Sequence, residues 1–518
     1  MRFEIMSKKP PFRNARKGGV ATNKERLLPR RQDGEAAGCR LREPSARNSS
    51  VPSLPHILLV NPWITDFAAY NLWIKPLGLL SIAGLLRQHG FRVTLVDCLD
   101  FPIEKSRYGD GKFLRTIIEK PKHLSSVPRN YSQYGIPEPI LMGRLMSIDK
   151  PDLIGITSGM TYWYPGLFKT IKLLKQSFKD IPIVLGGIYA TLCHDHARRF
   201  SGADFVFQRG DKSEALKLIS DLTNSQIGPN PLNEIGQAPN CNINSLEFHN
   251  SKSEIHNFLS MPPYPAFDLY SQLDYVCVRT STGCPLRCTY CASPLLHGRF
   301  SQRDPLDVVD EIQYWVDQYN VKNVAFYDDA LLVESSSRII PILEELIRRN
   351  VRPYFHTPNG LHVSEVTREV ADLLFRTQFR TIRLGFETSN EFEQHETGGK
   401  VDNPAFRNAV SNLRKAGFAQ HEIGVYIMAG LPHQESGHVE ETVAFVKQIG
   451  AKPFLVEYSP IPGTPLFEET KRVSRFDIEN EPLYHNNSIL PCQWEGFTPE
   501  DLKKLKRSLK ESVHTTGV

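Results

Sequence analysis

The sequence predicts an α/β protein with two successive sheets of parallel strands. Over residues 56–220, short runs rich in β-branched residues alternate with amphipathic helical stretches, a pattern typical of parallel sheets covered by helices on both faces. From residue 273 the alternation resumes with six strand–helix steps. A closed barrel of this kind needs eight steps, so we expect a partial (β/α)6 barrel of the TIM type.

The first 55 residues are predicted to be a disordered basic tail. Residues 1–50 hold thirteen Lys and Arg against five Asp and Glu, a net charge of +8, while the whole chain carries +5. Few apolar residues and no periodicity are typical of disordered segments. A transit peptide and an RNA-binding arm are two alternative interpretations of this tail. The remaining chain is slightly acidic, so we expect no nucleic-acid partner for it.

The first folded region, residues 56–220, has the element order of a flavodoxin- or Rossmann-like domain. Its predicted strands are HILLVNP, FRVTLVD, DLIGITS, IPIVLGG and ADFVFQRG. Ligands of such sheets bind beyond the carboxyl ends of the strands, and small residues there let a bulky ligand approach the backbone. The loop after the first strand lacks the glycine-rich motif of a nicotinamide site. The candidate ligand-binding residues at the strand ends are Thr157, Ser158, Gly186, Gly187 and Gly210.

A connector rich in Asn, Pro and Ser, residues 221–272, leads to the predicted barrel, residues 273–470. The predicted barrel strands are YVCVRTS, NVAFYDD, PYFHTPNG, TIRLGFETS, HEIGVYIMAGLP and KPFLVEYSPIPGTP. Residues 471–518 form a helical C-terminal extension, in which TPED is a capping sequence before an amphipathic helix. We expect this extension to pack across the mouth of the barrel.

Three of the nine cysteines lie within eight residues, in the stretch TGCPLRCTYCAS. Cys284, Cys288 and Cys291 have the spacing C-x3-C-x2-C on the loop after the first predicted barrel strand, where barrel enzymes place their chemistry. Structural zinc sites normally have four protein ligands, and a [4Fe–4S] cluster is usually held by four thiolates. With three thiolates, one iron of such a cluster keeps an open position for a small chelating molecule.

The cysteine loop on a six-step barrel resembles the radical S-adenosylmethionine (SAM) enzymes. An aromatic residue before the last cysteine and the strings LGFETS and YSPIPGTPL support the resemblance, which covers roughly residues 56–470. The N-terminal region resembles the cobalamin-binding domain that often precedes that barrel. The resemblance implies that the three cysteines hold a [4Fe–4S] cluster, and that SAM on its open iron is cleaved to a 5′-deoxyadenosyl radical.

The same resemblance implies SAM contacts for five further residues. Tyr290 is expected to contact the adenine. Asp328 or Asp329 is expected to receive the ammonium of the methionine moiety, and Glu387 to face the ribose or amino group. Gly430 is expected to leave room beside the adenine.

The cobalamin-like region departs from the family's best-known pattern. That pattern, D-x-H-x-x-G, supplies a histidine to cobalt, but the loop NPWITDFAAYN after the first strand contains Asp66 and no histidine. Either cobalamin binds with its lower face free of a protein ligand, or the region has lost the cofactor. If it binds, the candidate residues are the five named at the strand ends.

Three functions are compatible with the sequence. The first is a cobalamin-dependent methyltransferase acting on an unactivated carbon, and the second a radical cyclisation, rearrangement or oxidation in which cobalamin only assists. The third is a non-enzymatic metal-binding module, which the intact cysteine triplet disfavours. A lipid, a tetrapyrrole, a peptide or a small metabolite would each be an acceptable substrate.

The expected surroundings follow from composition and from the resemblance. No apolar run reaches the roughly 18 residues of a membrane span. Without an export motif, nine cysteines favour a reducing cytoplasm, where scattered cysteines stay free. The resemblance implies an electron donor such as a flavodoxin or a ferredoxin.

Overall fold

The computed structural model describes residues 54–100, 102–208, 212–225 and 264–514. The predicted basic tail, most of the predicted connector and Gly210 lie outside the described residues. The chain from Leu54 onward forms one compact unit, and this unit contains two parallel sheets. No helix within the described ranges is long and apolar enough to cross a membrane.

The N-terminal sheet has five parallel strands, as the sequence predicts. In chain order they are His56–Asn61, Arg92–Asp97, Leu153–Ile156, Ile183–Leu185 and Phe205–Val206. In space the order is second, first, third, fourth, fifth, which is the flavodoxin-like order. The direction of winding changes between the first and third strands, and ligands of such sheets bind at that switch point.

Helices cover both faces of this sheet. Odd-numbered side chains of the first strand pack with the helix Leu77–Gln88, and even-numbered ones pack with the helix Tyr164–Ser177, because successive side chains of a strand point to opposite faces. Both faces are therefore apolar, which explains why the strand is a continuous apolar run. The other helices here are Glu138–Met146, Ile188–Leu192, His194–Phe200 and Lys212–Leu222.

The segment after the second strand, expected to be rich in loops, contains short antiparallel strands that pair with two short strands of the first-strand loop. One small sheet joins Ile64–Asp66, Ser132–Tyr134 and Arg115–Ile117, and the other joins Tyr70–Asn71, Gly111–Phe113 and Pro102–Lys105. Each strand has only two to four residues, so its alternation is too short to recognise in a sequence. Together they form a lobe beside the loop after the first strand.

The barrel sheet has the six predicted strands, all parallel and in chain order. They are Val276–Val278, Asn323–Phe326, Tyr354–His356, Phe379–Glu387, Ile423–Ala429 and Lys452–Glu457. A short strand, Leu361–His362, pairs beside the fourth of them. Among the described residues the first and last strands do not pair, so the barrel stays open, as expected from six steps.

The five predicted crossover helices of the barrel are present. They are Pro305–Tyr319, Ile339–Arg348, Arg368–Arg376, Asn403–Ala416 and Ser436–Gln448. Three further helices, which we did not predict, are Ser293–His297, Glu391–Glu396 and Pro465–Val473. All three are shorter than ten residues, too short for helical periodicity to distinguish them from loops.

The C-terminal extension contacts both regions. Its predicted helix is present as Pro499–His514 and packs Leu502 and Leu505 into the barrel core. The preceding residues reach farther than the barrel mouth, because Leu483 and Ile489 pack with Phe67 of the N-terminal region.

The loop after the first N-terminal strand inserts into the barrel core. Trp73 is 3% exposed and stacks on His356 of the third barrel strand, with ring centroids 4.3 Å apart. Its carbonyl accepts a hydrogen bond from the Cys277 thiol at 2.9 Å. Burial lowers the pKa of His356 to about 3, so His356 is a neutral packing residue. The first-strand loop therefore contributes Trp73 to the barrel core.

Candidate metal and cofactor site

The three predicted cluster ligands lie on one loop beyond the first barrel strand. The loop starts at Ser281–Thr282, which pairs antiparallel with Ser301–Gln302, and ends at the helix Ser293–His297. The cysteines it carries are Cys284, Cys288 and Cys291, all partly buried and free.

Two other segments clamp the middle of this loop. The backbone N–H of Thr289 donates to the carbonyl of Thr397 at 3.2 Å, and the N–H of Leu466 donates to the carbonyl of Thr289 at 3.0 Å. Gly398 has φ +112°, and a Cβ there would lie 3.0 Å from the Cα of Cys288. Only glycine permits this approach without strain, so the turn at Gly398 fixes the position of the loop.

The donor set consists of three free thiols, the ligand type of iron–sulfur clusters. Within the described ranges, no three His, Cys, Asp or Glu side chains are grouped to hold one ion. Each thiolate of a [4Fe–4S] cluster binds a different iron, so its ligands stand farther apart than those of a zinc ion. Burial raises the pKa of the Cys291 thiol to about 11 and also raises that of Cys284. Iron binding must therefore displace protons from these thiols.

A buried ion pair, of which we predicted only the acid, lies beside the cysteine loop. Lys400 Nζ donates to Glu387 Oε1 at 2.8 Å, and the two side chains are only 14% and 11% exposed. The ammonium lies 5.8 Å from the ring centroid of Tyr290. Burial raises the pKa of the Cys288 thiol, and Lys400 opposes this rise. The backbone of Glu387 has φ +67°, an uncommon conformation that surrounding contacts must hold.

Tyr290, the predicted adenine contact, sits against the cysteine loop itself. Its ring packs against a small apolar cluster of Leu431, Tyr458 and Cys492. Its hydroxyl is buried beside Cys288 and has no hydrogen-bond partner of acceptable geometry among the described residues. A buried unsatisfied hydroxyl is costly, which favours a bound group at this position. Burial raises the pKa of Cys492 to about 12, so Cys492 is a packing thiol.

Asp328 anchors the base of the cysteine loop. Its fully buried carboxylate accepts hydrogen bonds from the backbone N–H and hydroxyl groups of Thr280 and Ser281 at 2.6–2.9 Å. The guanidinium of Arg338, also fully buried, lies 3.4 Å away. These partners occupy the carboxylate, and the expectation that Asp328 or Asp329 receives the ammonium of SAM stays a prediction.

Asp329 is the carboxylate of this pair that faces the cysteine loop. Its side chain is 31% exposed and lies 3.7 Å from Nε2 of His297. It accepts a hydrogen bond from Ser293 Oγ at 2.5 Å. Its charge reaches Cys284 and Cys291, where it adds to the effect of burial in raising the thiol pKa values.

Gly430 lies against Leu490 of the C-terminal extension. Its φ is +85°, and a Cβ there would lie 2.5 Å from Cδ1 of Leu490. Its N–H donates to Gln434 Oε1 at 2.7 Å. The missing side chain therefore accommodates the C-terminal extension, and the expectation that Gly430 leaves room beside adenine stays a prediction.

Four of the five candidate cobalamin residues lie at the carboxyl ends of the third and fourth strands of the N-terminal sheet, and Gly210 lies outside the described residues. The N–H of Thr157 donates to the carbonyl of Val60 at 3.1 Å, which places the end of the third strand beside the first. Ser158 Oγ donates to the carbonyl of Gly186 at 2.7 Å. This bond joins the loops that follow the third and fourth strands.

The two adjacent glycines have different tasks. At Gly187, with φ +96°, a Cβ would lie 2.4 Å from the carbonyl oxygen of Ser158, so this glycine lets two loops pack closely. At Gly186 a Cβ would have no neighbour within 4 Å. The space available to a ligand is therefore beside Gly186.

The loop after the fourth N-terminal strand lies next to the cysteine loop. The helix Ile188–Leu192, which follows the two glycines, contacts the helix Ser293–His297, which follows the cysteines. Sequence reasoning placed the two loops on separate regions, and only the fold shows that they meet.

The loop without a histidine is tied down by Asp66. Its buried carboxylate accepts hydrogen bonds from Trp163 Nε1 at 2.9 Å, from the N–H of Phe67 at 2.6 Å and from Asn486 Nδ2 at 2.9 Å. Burial raises its pKa. Asp66 thus joins the loops after the first and third strands to the C-terminal extension, a contact across 420 residues that no local pattern predicts.

His485 secures the same extension against the third-strand loop. Its Nδ1 lies 2.8 Å from Thr161 Oγ1, and its Nε2 lies 2.7 Å from the carbonyl of Ile478. Burial lowers the pKa of His485 to about 4, so the ring is neutral at physiological pH.

Known proteins similar to this chain share both halves of the fold. The model of the Radical SAM superfamily matches residues 278–446. An uncharacterized methyltransferase of Pyrococcus horikoshii, PH0819, is 23% identical over 393 residues, which are 73% of this chain and 80% of that protein. Bacteriochlorophyllide d C-12(1)-methyltransferase of Chlorobaculum tepidum is 27% identical over 226 residues, 42% of this chain and 47% of that protein.

A solved structure has the same overall fold. The radical SAM methyltransferase TsrM of Kitasatospora setae, solved with cobalamin and a [4Fe–4S] cluster bound, superposes with a TM-score of 0.58 at 16% identity, over 84% of this chain and 85% of that one. At this identity the likeness shows the fold alone. Together with the cysteine loop, the family match identifies residues 278–446 as a domain of the Radical SAM superfamily.

Proposed function

We propose that this protein is a cobalamin-dependent radical SAM methyltransferase that acts on an unactivated carbon. The observation that carries the proposal is the contact between the helices Ile188–Leu192 and Ser293–His297. It brings the candidate cobalamin loop to the loop of the cluster cysteines, as methyl transfer between the two cofactors requires. The methyltransferase names of two relatives support the reaction class.

The barrel residues would hold the first cofactor pair. Cys284, Cys288 and Cys291 would ligate a [4Fe–4S] cluster, which together with SAM supplies one-electron cleavage of a carbon–sulfur bond. Asp329 and Glu387 would accept the ammonium of SAM, and Lys400 would receive its carboxylate. Tyr290, with its unsatisfied hydroxyl, would contact SAM beside the cluster.

The N-terminal residues would hold the second cofactor, which carries a methyl group between SAM and substrate. Thr157, Ser158 and Gly186 lie at the carboxyl ends of the third and fourth strands, and we keep Gly210 as a candidate. The first-strand loop offers cobalt no histidine, and Asp66 is occupied by three donors. The residues present therefore favour cobalamin with a lower face free of any protein ligand.

Iron content and SAM cleavage test the radical SAM site. Anaerobically reconstituted protein should hold about four irons and, with a reductant, convert SAM into 5′-deoxyadenosine. Replacing any of Cys284, Cys288 or Cys291 by Ala should abolish both, because three thiolates are the minimum that keeps this cluster. Cys98→Ala, a buried thiol elsewhere, is the control and should change neither. Stoichiometric zinc without iron would contradict the proposal.

Cobalamin binding tests the methyltransferase reading separately. Gly186→Leu should lose the visible absorption of bound hydroxocobalamin while it keeps its iron, since the added side chain enters open space at the carboxyl end of the fourth strand. The bound Co(II) form should show no nitrogen hyperfine splitting from a protein imidazole in electron paramagnetic resonance. If the wild-type protein ignores hydroxocobalamin yet still forms 5′-deoxyadenosine, radical cyclisation, rearrangement or oxidation becomes the better function.

Two accompanying proposals concern the surroundings of the enzyme. A flavodoxin or a ferredoxin would deliver the electron to the cluster. The described cysteines are all free of disulfide bonds, which supports a reducing compartment such as the cytoplasm. The substrate class stays open among a lipid, a tetrapyrrole, a peptide and a small metabolite.

A further inference from the structure

A cleft of about 590 Å³ opens between the first-strand loop and the small antiparallel lobe of the N-terminal region. Its volume lies in the range of about 300–1,000 Å³ that small-molecule sites occupy. The lining described by the structure belongs entirely to residues 67–70, 112–115 and 129–134. It therefore contains neither the cysteine loop nor the candidate residues Ser158 and Gly186.

The floor of the cleft is aromatic. Phe67, Phe113 and Tyr134 are each at most 5% exposed. Tyr70 stands at the edge with 55% of its surface exposed. An exposed ring above a buried aromatic floor can cover one side of a flat, apolar ligand.

The rim of the cleft is cationic. The exposed guanidinium of Arg129 lies 5.6 Å from the ring centroid of Phe67, and its Nη2 donates to the carbonyl of Phe67 at 3.2 Å. Lys112 is a further cation of the lining. Arg115 reaches the hydroxyl of Tyr134. No carboxylate belongs to the lining that the structure describes.

The nearest buried acid does not neutralise this rim by contact. The carboxylate of Asp66 bonds to Trp163, Asn486 and the N–H of Phe67, and the charge of Arg129 acts on it from a distance. Arginine guanidinium groups have the geometry to bind carboxylate and phosphate oxygens in pairs. The cleft thus offers an anion site next to an apolar floor.

We propose that this cleft binds a small molecule that joins a carboxylate or phosphate group to a flat ring. The anion contacts Arg115 and Arg129, and the ring packs against the exposed Tyr70 at the edge of the aromatic lining. The lining contains no residue of the cysteine loop and none of the candidate residues Thr157, Ser158, Gly186 and Gly187, although Phe67 and its neighbours belong to the first-strand loop.

The probe for the test is 1-naphthyl phosphate, which has both required parts. Its binding to the full chain, reconstituted with iron and hydroxocobalamin, is measured by equilibrium dialysis. We expect saturable binding of one probe per chain, about tenfold weaker in Arg115→Gln because a charge-assisted hydrogen bond is lost. Tyr70→Ala should weaken binding too, and excess inorganic phosphate should compete.

Two controls make the result specific. Arg92→Gln removes a similarly exposed arginine, which pairs with Asp149 elsewhere on the surface, and should bind the probe as wild type does. The neutral 1-naphthol should bind more weakly than the phosphate. Absence of saturable binding to the wild type would overturn the proposal, and so would equal affinity of Arg115→Gln.

Discussion

Exchanging the two adjacent carboxylates Asp328 and Asp329 for amides should separate loop anchoring from ligand binding. In Asp328→Asn the buried guanidinium of Arg338, 3.4 Å from the carboxylate, loses its counter-charge. The amide NH2 group also faces the donors of Thr280 and Ser281. Breaking a buried pair by removing one partner costs about 3–5 kcal/mol. In Asp329→Asn the changed group is 31% exposed, so we expect a cost below about 1 kcal/mol.

The thermal midpoint gives these energies a measurable scale. With about 2.1 cal/mol/K of unfolding entropy per residue, a loss of 3–5 kcal/mol lowers the Tm of the unit from Leu54 onward by roughly 3–5 °C. Thr280 and Ser281 lead directly into the cysteine loop, so Asp328→Asn should also bind less iron on reconstitution. Asp329→Asn should keep its Tm and iron content and bind SAM more weakly in equilibrium dialysis.

The assay pairs circular dichroism melting with iron analysis and SAM dialysis on both variants. The reasoning would be refuted if Asp328→Asn had the Tm and the iron content of the wild type but lost SAM binding. That result would mean that Asp328 faces SAM and that its contacts to Thr280 and Arg338 contribute little to stability.

Two further predictions concern Lys400 and His485. Lys400→Met leaves Glu387 buried without a counter-charge, so the free energy of unfolding in urea should fall by about 3 kcal/mol. The double variant with Glu387→Gln should regain most of this stability, but both variants should bind SAM more weakly than the wild type. Wild-type SAM affinity in both variants would show that the pair does not contact SAM. The neutral ring of His485, with its pKa lowered to about 4 from 6.5, contributes stability that is complete above pH 6.5 and declines as the pH falls toward 4. Between pH 7.5 and 5 the contribution of His485 falls by about 2 kcal/mol. The loss of unfolding free energy over that interval should therefore be about 2 kcal/mol smaller in His485→Gln than in the wild type. Equal losses would contradict the lowered pKa of His485.

The fold could be predicted from the sequence because its strands are continuous apolar runs buried on both faces. The same reasoning failed for the antiparallel lobe, since strands such as Arg115–Ile117 are too short to show a period. Within the candidate site, the cysteine spacing was visible, but Lys400 was not. A single lysine has no pattern, and only the turn at Gly398 carries it to Glu387. Asp328 and Asp329 are neighbours of identical chemistry, and their different tasks depend on the distant Arg338 and Ser293.

The insertion of Trp73 into the barrel bears on how such two-part enzymes change in evolution. Trp73 stacks on His356 and bonds to Cys277, so the barrel owes part of its interior to the first-strand loop. A recombination event that replaced the N-terminal half with a foreign one would leave a hole in the catalytic half. A successful exchange would therefore have to keep the first-strand loop together with the barrel that it fills. The two domains would then be inherited as one unit.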